Sequence, residues 1–249
     1  MPQKVKDISI HFWKEMSSFN TEISDAVGAC AFFFTLSMWL APMKDVFLSP
    51  TSIFRSSGVS GPSSSFSYVS ATANCFLWVL YFSTRLGGKL PAFLINACGL
   101  CLNLSFTVCF WYYVPGDAHT TTNIEIIVFL IICVLAGLSW IFLQADQSIS
   151  YLAVAVNIAM FYGPLASIRR FMRERNVEGL PLAPLVLQLL SSSLWTGWSF
   201  YVGEVALAIP NIFGVVFAFA QLGLWYWLYQ QQQLHKVPTL TPVATSDDA

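Results

Sequence analysis

The sequence predicts an all-α membrane protein whose seven transmembrane helices form two parallel three-helix repeats joined by a linker helix. Three observations support this fold class: the composition, the long apolar runs and a recurrence of polar residues between the two halves. Hydrophobic residues make up 56% of the 249 positions and charged residues only 10%, with a mean hydropathy of +0.62. Soluble domains carry about 25% charged residues. The composition therefore indicates a protein that crosses a membrane several times.

Seven apolar runs are long enough to span a bilayer, since a transmembrane helix needs about 20 mostly apolar residues. The runs are continuously apolar, whereas the strands of a membrane β-barrel alternate in polarity. We therefore expect helices at 26–47, 65–84, 90–114, 123–143, 148–168, 182–203 and 206–229.

The ends of the chain are polar. Residues 1–25 carry charges of both signs and lack the apolar core of a signal peptide, so we expect a retained N-terminal arm. Residues 230–249 are predicted to form a disordered tail. Between the ends, the sequence divides into a first three-helix repeat, a linker region with helix 4 and a second three-helix repeat, at 26–114, 115–147 and 148–229.

The repeat is visible in two short stretches, "LPAFLINACG" around Asn96 and "AIPNIFG" around Asn211. Aligning the two asparagines also brings Trp78 to within two residues of Trp195. One additional helix separates the copies, so the second copy begins on the same side of the membrane as the first. Parallel repeats related by an axis along the membrane normal are typical of transporters.

Several classes of function are excluded by what the apolar runs lack. The three histidines fall in the arm, a loop and the tail, and the six cysteines lie within apolar runs as small packing residues. No metal site, cofactor site or nucleophile with an adjacent base is expected, so the chain is not predicted to be an enzyme. A net charge of −1 also provides no basic surface for nucleic acid.

The matching asparagines are the strongest functional signal from the residues themselves. An unpaired amide facing lipid is costly, so Asn96 and Asn211 should point into the bundle. An amide both donates and accepts hydrogen bonds, as a sugar hydroxyl does. Either amide alone could be a bond between helices, but matching places in two repeats favour a shared cavity. Trp78 and Trp195 could offer flat faces to a sugar ring there, with interfacial anchoring or packing as the alternative.

The residues also resemble a known family. "NIAMFYGPLASIRRF", "NVEGLPLAPLVL" and "SLWTGWSFYVGEVALAIPNIFG" resemble the second repeat of the SWEET sugar transporters, and "LSMWLAPMKDV", "NCFLWVLYF" and "LINACG" resemble the first. The resemblance covers about residues 27 to 229. It implies facilitative sugar uniport by alternating access, with two three-helix bundles joined by helix 4 and with a mono- or disaccharide as the substrate.

The resemblance also implies roles for individual residues. The positions that contact substrate in the family fall on Asn96, Asn211, Trp78, Trp195, Asn74, Ser191, Thr35, Met38, Asn157 and Met160. An outer gate corresponds to Tyr81 and Glu204, and inner-gate prolines correspond to Pro42, Pro164 and Pro181. A fourth proline is expected where the chain has Ser67, with Pro62 just upstream. Bulky residues such as Met38 and Met160 accompany monosaccharides in the family, which implies a hexose.

One alternative stays open: a proton-coupled PQ-loop transporter of amino acids or another small solute. Such coupling needs an ionisable side chain within the membrane, yet Glu125, Asp146 and Glu204 all lie at expected helix ends. The arginines between positions 169 and 175 favour a cytoplasmic C-terminus and an external N-terminus. We expect a plasma-membrane protein embedded in the lipid bilayer, and the sequence is compatible with a homo-oligomer.

Overall fold

The computed structural model describes residues 3–41, 43, 63–87, 89–114, 116–143, 146–160, 172 and 182–236. Over these residues the chain is helical, with no strand. The all-α fold class is therefore confirmed. The long helices are α1 (Gln3–Leu40), α2 (Ser63–Ser83), α3 (Leu90–Tyr113), α4 (Gly116–Leu143), α5 (Asp146–Met160), α6 (Leu182–Tyr201) and α7 (Val205–Lys236).

Three helices extend beyond the apolar runs. α1 begins at Gln3, so that the expected arm and the first span form one helix, because no proline interrupts the chain from there to Leu40. α4 begins at Gly116, about two turns before the expected start at 123. α7 runs on to Lys236, past the expected boundary at 229, since glutamine and leucine are good helix formers even where the sequence is no longer apolar.

The helices pack with an internal two-fold symmetry. In the first repeat α3 contacts both α1 and α2, and in the second repeat α7 contacts both α5 and α6. The repeats meet through two equivalent pairs, α1 with α6 and α2 with α5. Exchanging α1, α2 and α3 for α5, α6 and α7 reproduces every one of these contacts. α4 stands outside the symmetry and packs on α2, with a smaller contact to α5.

Four described segments are long and apolar enough to cross a membrane by themselves: Thr21–Leu40, Leu90–Tyr113, His119–Leu143 and Val205–Gln233. α5 contributes the shorter apolar helix Gln147–Met160. α2 carries buried serine and asparagine and α6 carries buried serine on the faces that meet the other helices, which lowers their hydropathy. The chain is thus an integral membrane protein whose more polar helices lie inside the bundle.

The buried core runs through the contact between the two repeats. Every long helix contributes to one cluster of buried side chains, among them Ala31, Leu77, Trp78, Ala92, Ala136, Ala153, Trp195 and Leu207. α1 and α3 approach closely because Gly99 has no side chain: a methyl group there would overlap the ring of Trp39. This close approach brings Trp39 to the wall of the cavity described next.

Candidate functional site

A cavity of about 290 Å3 lies between the two repeats and is lined by α1, α2, α3, α5, α6 and α7. Ligand pockets typically measure about 300–1,000 Å3, so this central cavity has room for a small solute. The two repeats contribute lining residues at corresponding positions. All ten positions that the family resemblance assigns to substrate contact line it: Thr35, Met38, Asn74, Trp78, Asn96, Asn157, Met160, Ser191, Trp195 and Asn211.

The two asparagines of the repeat signature have the same local geometry. The Nδ2 of Asn96 donates to the carbonyl of Ala92 at 2.8 Å, and the Nδ2 of Asn211 donates to the carbonyl of Leu207 at 2.7 Å. Among the described residues, neither amide bonds to another helix. One N–H of each amide is thus satisfied within its own helix, while the other N–H and the carbonyl oxygen remain for a ligand in the central cavity.

A hydrogen-bonded set of three side chains joins α1 to α6 at the cavity wall. The indole Nε1 of Trp195 donates to Thr35 Oγ1 at 2.8 Å, and Ser191 Oγ lies 2.6 Å from the same oxygen. The hydroxyl of Thr35 itself donates to the carbonyl of Ala31 at 2.8 Å. Because a hydroxyl has only one proton, Ser191 must be the donor to Thr35.

The corresponding residues on α2 and α5 do not form such a hydrogen-bonded set. Asn74 and Trp78, which match Ser191 and Trp195 in the repeat, are 6% and 1% exposed. The Oδ1 of Asn74 and the Nε1 of Trp78 are buried, and neither has a hydrogen-bond partner among the residues that the structure describes. Asn157, the counterpart of Thr35, also lines the cavity without bonding either atom.

The cavity wall includes polar residues that were not expected from the sequence, notably Ser67, Gln188 and Ser192. Gln188 is three residues before Ser191 and seven before Trp195. Positions with that spacing share one face of a helix, so the face that carries Trp195 could have revealed Gln188. Ser67 lies on α2 seven residues before Asn74, which in the same way puts it on the helix face that lines the cavity.

At one end of the bundle, the two repeats are linked by a contact among Tyr81, Lys89 and Glu204, which we call the gate contact. The hydroxyl of Tyr81 donates to the carboxylate of Glu204 at 2.7 Å, and the ammonium of Lys89 forms an ion pair with the same carboxylate. Arg85 lies over the Tyr81 ring, 4.7 Å from its centroid. The family resemblance implied Tyr81 and Glu204 but not Lys89, which lies in the short turn between α2 and α3.

The local backbone explains how Glu204 reaches this position. Gly203 has a φ of 74°, a left-handed conformation that favours glycine, and it ends α6 with a tight turn. The next N–H, that of Glu204, donates to the carbonyl of Ser199 at 2.8 Å. Glu204 therefore stands at the N-terminus of α7, where the helix dipole favours a negative charge.

Pro42, Pro164 and Pro181, to which the resemblance assigns an inner gate, lie outside the described residues, as does Pro62. Ser67, where the resemblance led us to expect a proline, lies within α2.

Glu125 lies inside a helix and not at its end, because α4 begins earlier than expected. Its carboxylate accepts a hydrogen bond from Ser65 of α2. Glu125 does not line the central cavity. An acidic side chain is therefore present within the predicted span, but it lies apart from the cavity.

The known proteins to which this chain is similar are named as sugar transporters. The family described as "Sugar efflux transporter for intercellular exchange" matches residues 147–234. "Sugar transporter SWEET1" of Dictyostelium discoideum is 23% identical over 82% of this chain and 93% of its own length. "Bidirectional sugar transporter SWEET13" of Oryza sativa subsp. japonica is 28% identical over 80% of this chain and 67% of its own length.

A further relative, "Bidirectional sugar transporter SWEET9" of Arabidopsis thaliana, is 26% identical over 82% of this chain and 81% of its own length. Among solved structures, a eukaryotic SWEET transporter superimposes with a TM-score of 0.70 at 18% identity, covering 85% of this chain and 99% of that one. The structural likeness shows that the two chains share a fold.

Proposed function

We propose that this chain, which is similar to SWEET sugar transporters over most of its length, moves sugars across a membrane by facilitative uniport with alternating access. The single observation that carries the proposal is the central cavity between two parallel repeats, with a matched pair of asparagines and a matched pair of tryptophans in its wall. Such a cavity on an internal symmetry axis is where transporters built from repeats bind their substrates.

The chemistry of the wall suits a sugar. Asn96 and Asn211 each retain one N–H and a carbonyl oxygen for a ligand, and a hydroxyl can pair with both. Trp78 and Trp195 supply large flat apolar surfaces that can pack against the C–H face of a pyranose ring. Serine, threonine and glutamine side chains complete a lining that is polar in part and apolar in part, which is typical of small-molecule sites.

Alternating access would use the gate contact. Tyr81 and Lys89 belong to the first repeat and Glu204 to the second, so the contact holds the repeats together at that end. Opening the cavity there requires these bonds to break and the repeats to move about their shared axis. We therefore assign Tyr81 and Glu204 to the outer gate and propose Lys89 as its third member.

The size of the cavity favours a hexose over a disaccharide. Its volume of about 290 Å3 is near the lower limit for ligand pockets. Met38 of one repeat and Met160 of the other extend long side chains into the same space. Both features support a substrate with a single sugar ring.

Uncoupled transport is favoured because no acidic residue lines the central cavity among the described residues. Glu125 is the best candidate for a proton-carrying group, and it packs against α2 outside the cavity. A carboxylate separated from the substrate has no direct way to couple its protonation to substrate binding.

Uptake of radiolabelled glucose, fructose and sucrose into proteoliposomes, with and without an imposed pH gradient, tests the proposal. We expect uptake of glucose or fructose down its gradient at equal internal and external pH. Uptake that occurs only with the pH gradient would favour the proton-coupled alternative. In that case Glu125→Gln, which removes the charge and preserves the shape, should abolish the coupled uptake.

We also propose that the protein resides in the plasma membrane with a cytoplasmic C-terminus. The concentration of arginines between positions 169 and 175 supports this orientation. An epitope tag after position 249 should be labelled by antibody only after cells are permeabilised. Labelling of intact cells would mean that the C-terminus lies outside the cell.

A further inference from the structure

The two repeats differ in polarity at one part of the cavity wall. On α6, Gln188 and Ser192 both line the central cavity. When the two repeats are aligned on their tryptophans, the corresponding positions on α2 are Ala71 and Cys75. Both of these are buried, at 7% and 1% exposure, and neither lines the cavity. The second repeat therefore contributes two polar side chains for which the first repeat has no equivalent.

Gln188 and Ser192 are neighbours on the face of α6 that points into the cavity. They are four residues apart, so their side chains lie next to each other on successive turns. Gln188 is also seven residues before Trp195, a spacing that keeps both on one helix face. Since α6 ends at Tyr201 beside the gate contact, Gln188 lies about 10 Å along the helix from Trp195, toward the end away from that contact.

The polar groups of both side chains are free of bonds to the part of the protein that the structure describes. The hydroxyl of Ser191, the preceding residue, is bonded to Thr35. In contrast, neither the hydroxyl of Ser192 nor the amide of Gln188 has a hydrogen-bond partner among the described residues. The two do not bond each other either, although their spacing on the helix would allow it. Both groups are therefore available to a ligand in the central cavity.

An amide and a hydroxyl on successive turns of a helix suit two adjacent hydroxyls of a sugar ring. The amide accepts with its oxygen and donates with its N–H groups, and the serine hydroxyl does both. A site that bonds a substrate hydroxyl rejects an analogue without that hydroxyl far more strongly than an apolar pocket rejects a change of one methylene. The chemistry of this pair is therefore suited to distinguishing one sugar from another.

We propose that Gln188 and Ser192 determine sugar specificity by binding two adjacent hydroxyls of the substrate, at the end of the central cavity away from the gate contact. This assignment rests on the proposed function in sugar transport. Neither residue is among the ten positions that the family resemblance assigns to substrate contact. Because α2 carries Ala71 and Cys75 instead, the pair exists in one half of the cavity only. A sugar is therefore held in one orientation, although the cavity itself is nearly symmetric.

The test compares Gln188→Met and Ser192→Ala with the control Gln221→Met. Methionine keeps the length of glutamine and removes its amide. Gln221 is the control because it is a buried glutamine of the neighbouring helix α7 that does not line the cavity. Dissociation constants for glucose, fructose and sucrose, and for the monodeoxy analogues of the one that binds most tightly, are measured by titration calorimetry on the full chain purified in detergent. Transport of the three sugars is measured in proteoliposomes.

Gln188→Met and Ser192→Ala should each weaken binding of the preferred sugar by about tenfold, the factor that one hydrogen bond of ordinary strength supplies. Gln221→Met should leave the dissociation constant unchanged. Two analogues that lack adjacent hydroxyls should bind weakly to the wild type. One of them should lose no further affinity in Gln188→Met, and the other none in Ser192→Ala, because the bond is already missing. A purely structural role would instead weaken every analogue alike.

The failures are distinguishable. A wild-type protein that neither binds nor transports any of the three sugars overturns the proposed function and this assignment with it. A wild type that binds a sugar, with Gln188→Met and Ser192→Ala either binding it equally well or losing the same factor for every analogue, overturns this assignment alone. If Gln188→Met does not fold, Ser192→Ala with the same analogues decides the question, and the assignment requires one analogue that loses nothing further in that variant.

Discussion

At the scale of single residues, the asparagines of the repeat signature resemble each other even in their hydrogen bonds. Each donates one N–H to the carbonyl four residues earlier in its own helix. This bond fixes the orientation of the amide before any substrate arrives. The remaining donor and acceptor are therefore held ready on opposite walls of the central cavity, one from each repeat.

We expect Asn96→Ala and Asn211→Ala each to reduce sugar transport about tenfold or more, because each removes two hydrogen-bonding groups from the cavity. Asn103→Ala is the matched control. Asn103 is on the same helix as Asn96 and is similarly buried, and its Nδ2 also donates to the carbonyl four residues earlier. It does not line the cavity.

Initial rates of glucose uptake at equal protein per liposome provide the comparison, with thermal unfolding as the check on folding. If Asn103→Ala lowers the uptake as much as the other two, the amides matter for helix packing and not for substrate. Normal transport by both Asn96→Ala and Asn211→Ala would show that the matched asparagines do not bind the substrate.

The asparagine pair and the tryptophan pair of the central cavity could be proposed from sequence because they recur at matching places in two repeats, whereas the other cavity positions were implied by the family resemblance. The hydrogen bonds among these residues could not be proposed from the sequence. Thr35, Ser191 and Trp195 come together only because α1 packs on α6, and Thr35 and Ser191 are 156 positions apart in the chain. Which side chains form hydrogen bonds with one another depends on the rotation of each helix about its axis. A few degrees of rotation can make or break a hydrogen bond, and periodicity in the sequence does not determine the rotation that closely.

At the scale of elements, the turn between α2 and α3 and the turn between α6 and α7 meet at the gate contact. The side chain of Glu204 is 6% exposed and that of Lys89 is 20% exposed. Removing either partner of a largely buried ion pair leaves a charge without compensation. We therefore expect Lys89→Glu and Glu204→Lys each to lower transport severalfold by preventing the repeats from closing at this end.

The double variant Lys89→Glu/Glu204→Lys restores opposite charges and should recover part of the lost uptake. Glucose uptake by the two single variants and the double variant, at equal protein content, gives the coupling between the two sites. A double variant no better than the worse single variant would mean that the ion pair does not contribute to the gate.

The contact between α1 and α3 depends on Gly99. A methyl group at this position would overlap the Trp39 ring, which lines the central cavity. Gly99→Ala should therefore displace that ring and lower transport. It should also lower the unfolding free energy, by about 1–3 kcal/mol.

Gly197→Ala on α6 is the control for this change, because a methyl group there would meet no atom within 4 Å. Detergent-solubilised protein followed by thermal unfolding gives the comparison. We expect the control to be neutral or slightly stabilising, since alanine favours helix over glycine. Equal unfolding temperatures for the two variants would contradict a tight α1–α3 contact.

At the scale of the whole molecule, the sequence predicted the helices and their division into repeats because apolar run length and repeated residues are local signals. The exchange symmetry of the helix contacts follows from that division. The extension of α1 to Gln3 and of α7 to Lys236 was missed, because hydropathy marks the part of a helix within lipid and not the part that continues into water. Lys89 was missed for a related reason: one charge in a short turn has no periodic context.

The size of the substrate is a property of the whole molecule, since Met38 and Met160 approach the central cavity from different repeats. Both are long and flexible, so they occupy space that a second sugar ring would need. The double variant Met38→Val/Met160→Val removes volume from both walls. We expect the ratio of sucrose uptake to glucose uptake to rise by up to about tenfold. A factor of about ten is the lower end of the substrate discrimination that one methylene group produces in an apolar pocket.

The ratio is measured in proteoliposomes at equal protein content, in the wild type, both single variants and the double variant. Met43→Val is the matched control, because Met43 is exposed and does not line the cavity, and it should leave the ratio unchanged. Since the two methionines belong to different walls, each single variant should give a smaller rise than the pair. A ratio that stays at the wild-type value in the double variant would show that other residues limit the size of the substrate, and Gln188 and Trp39, which line the same cavity, would be the next to exchange.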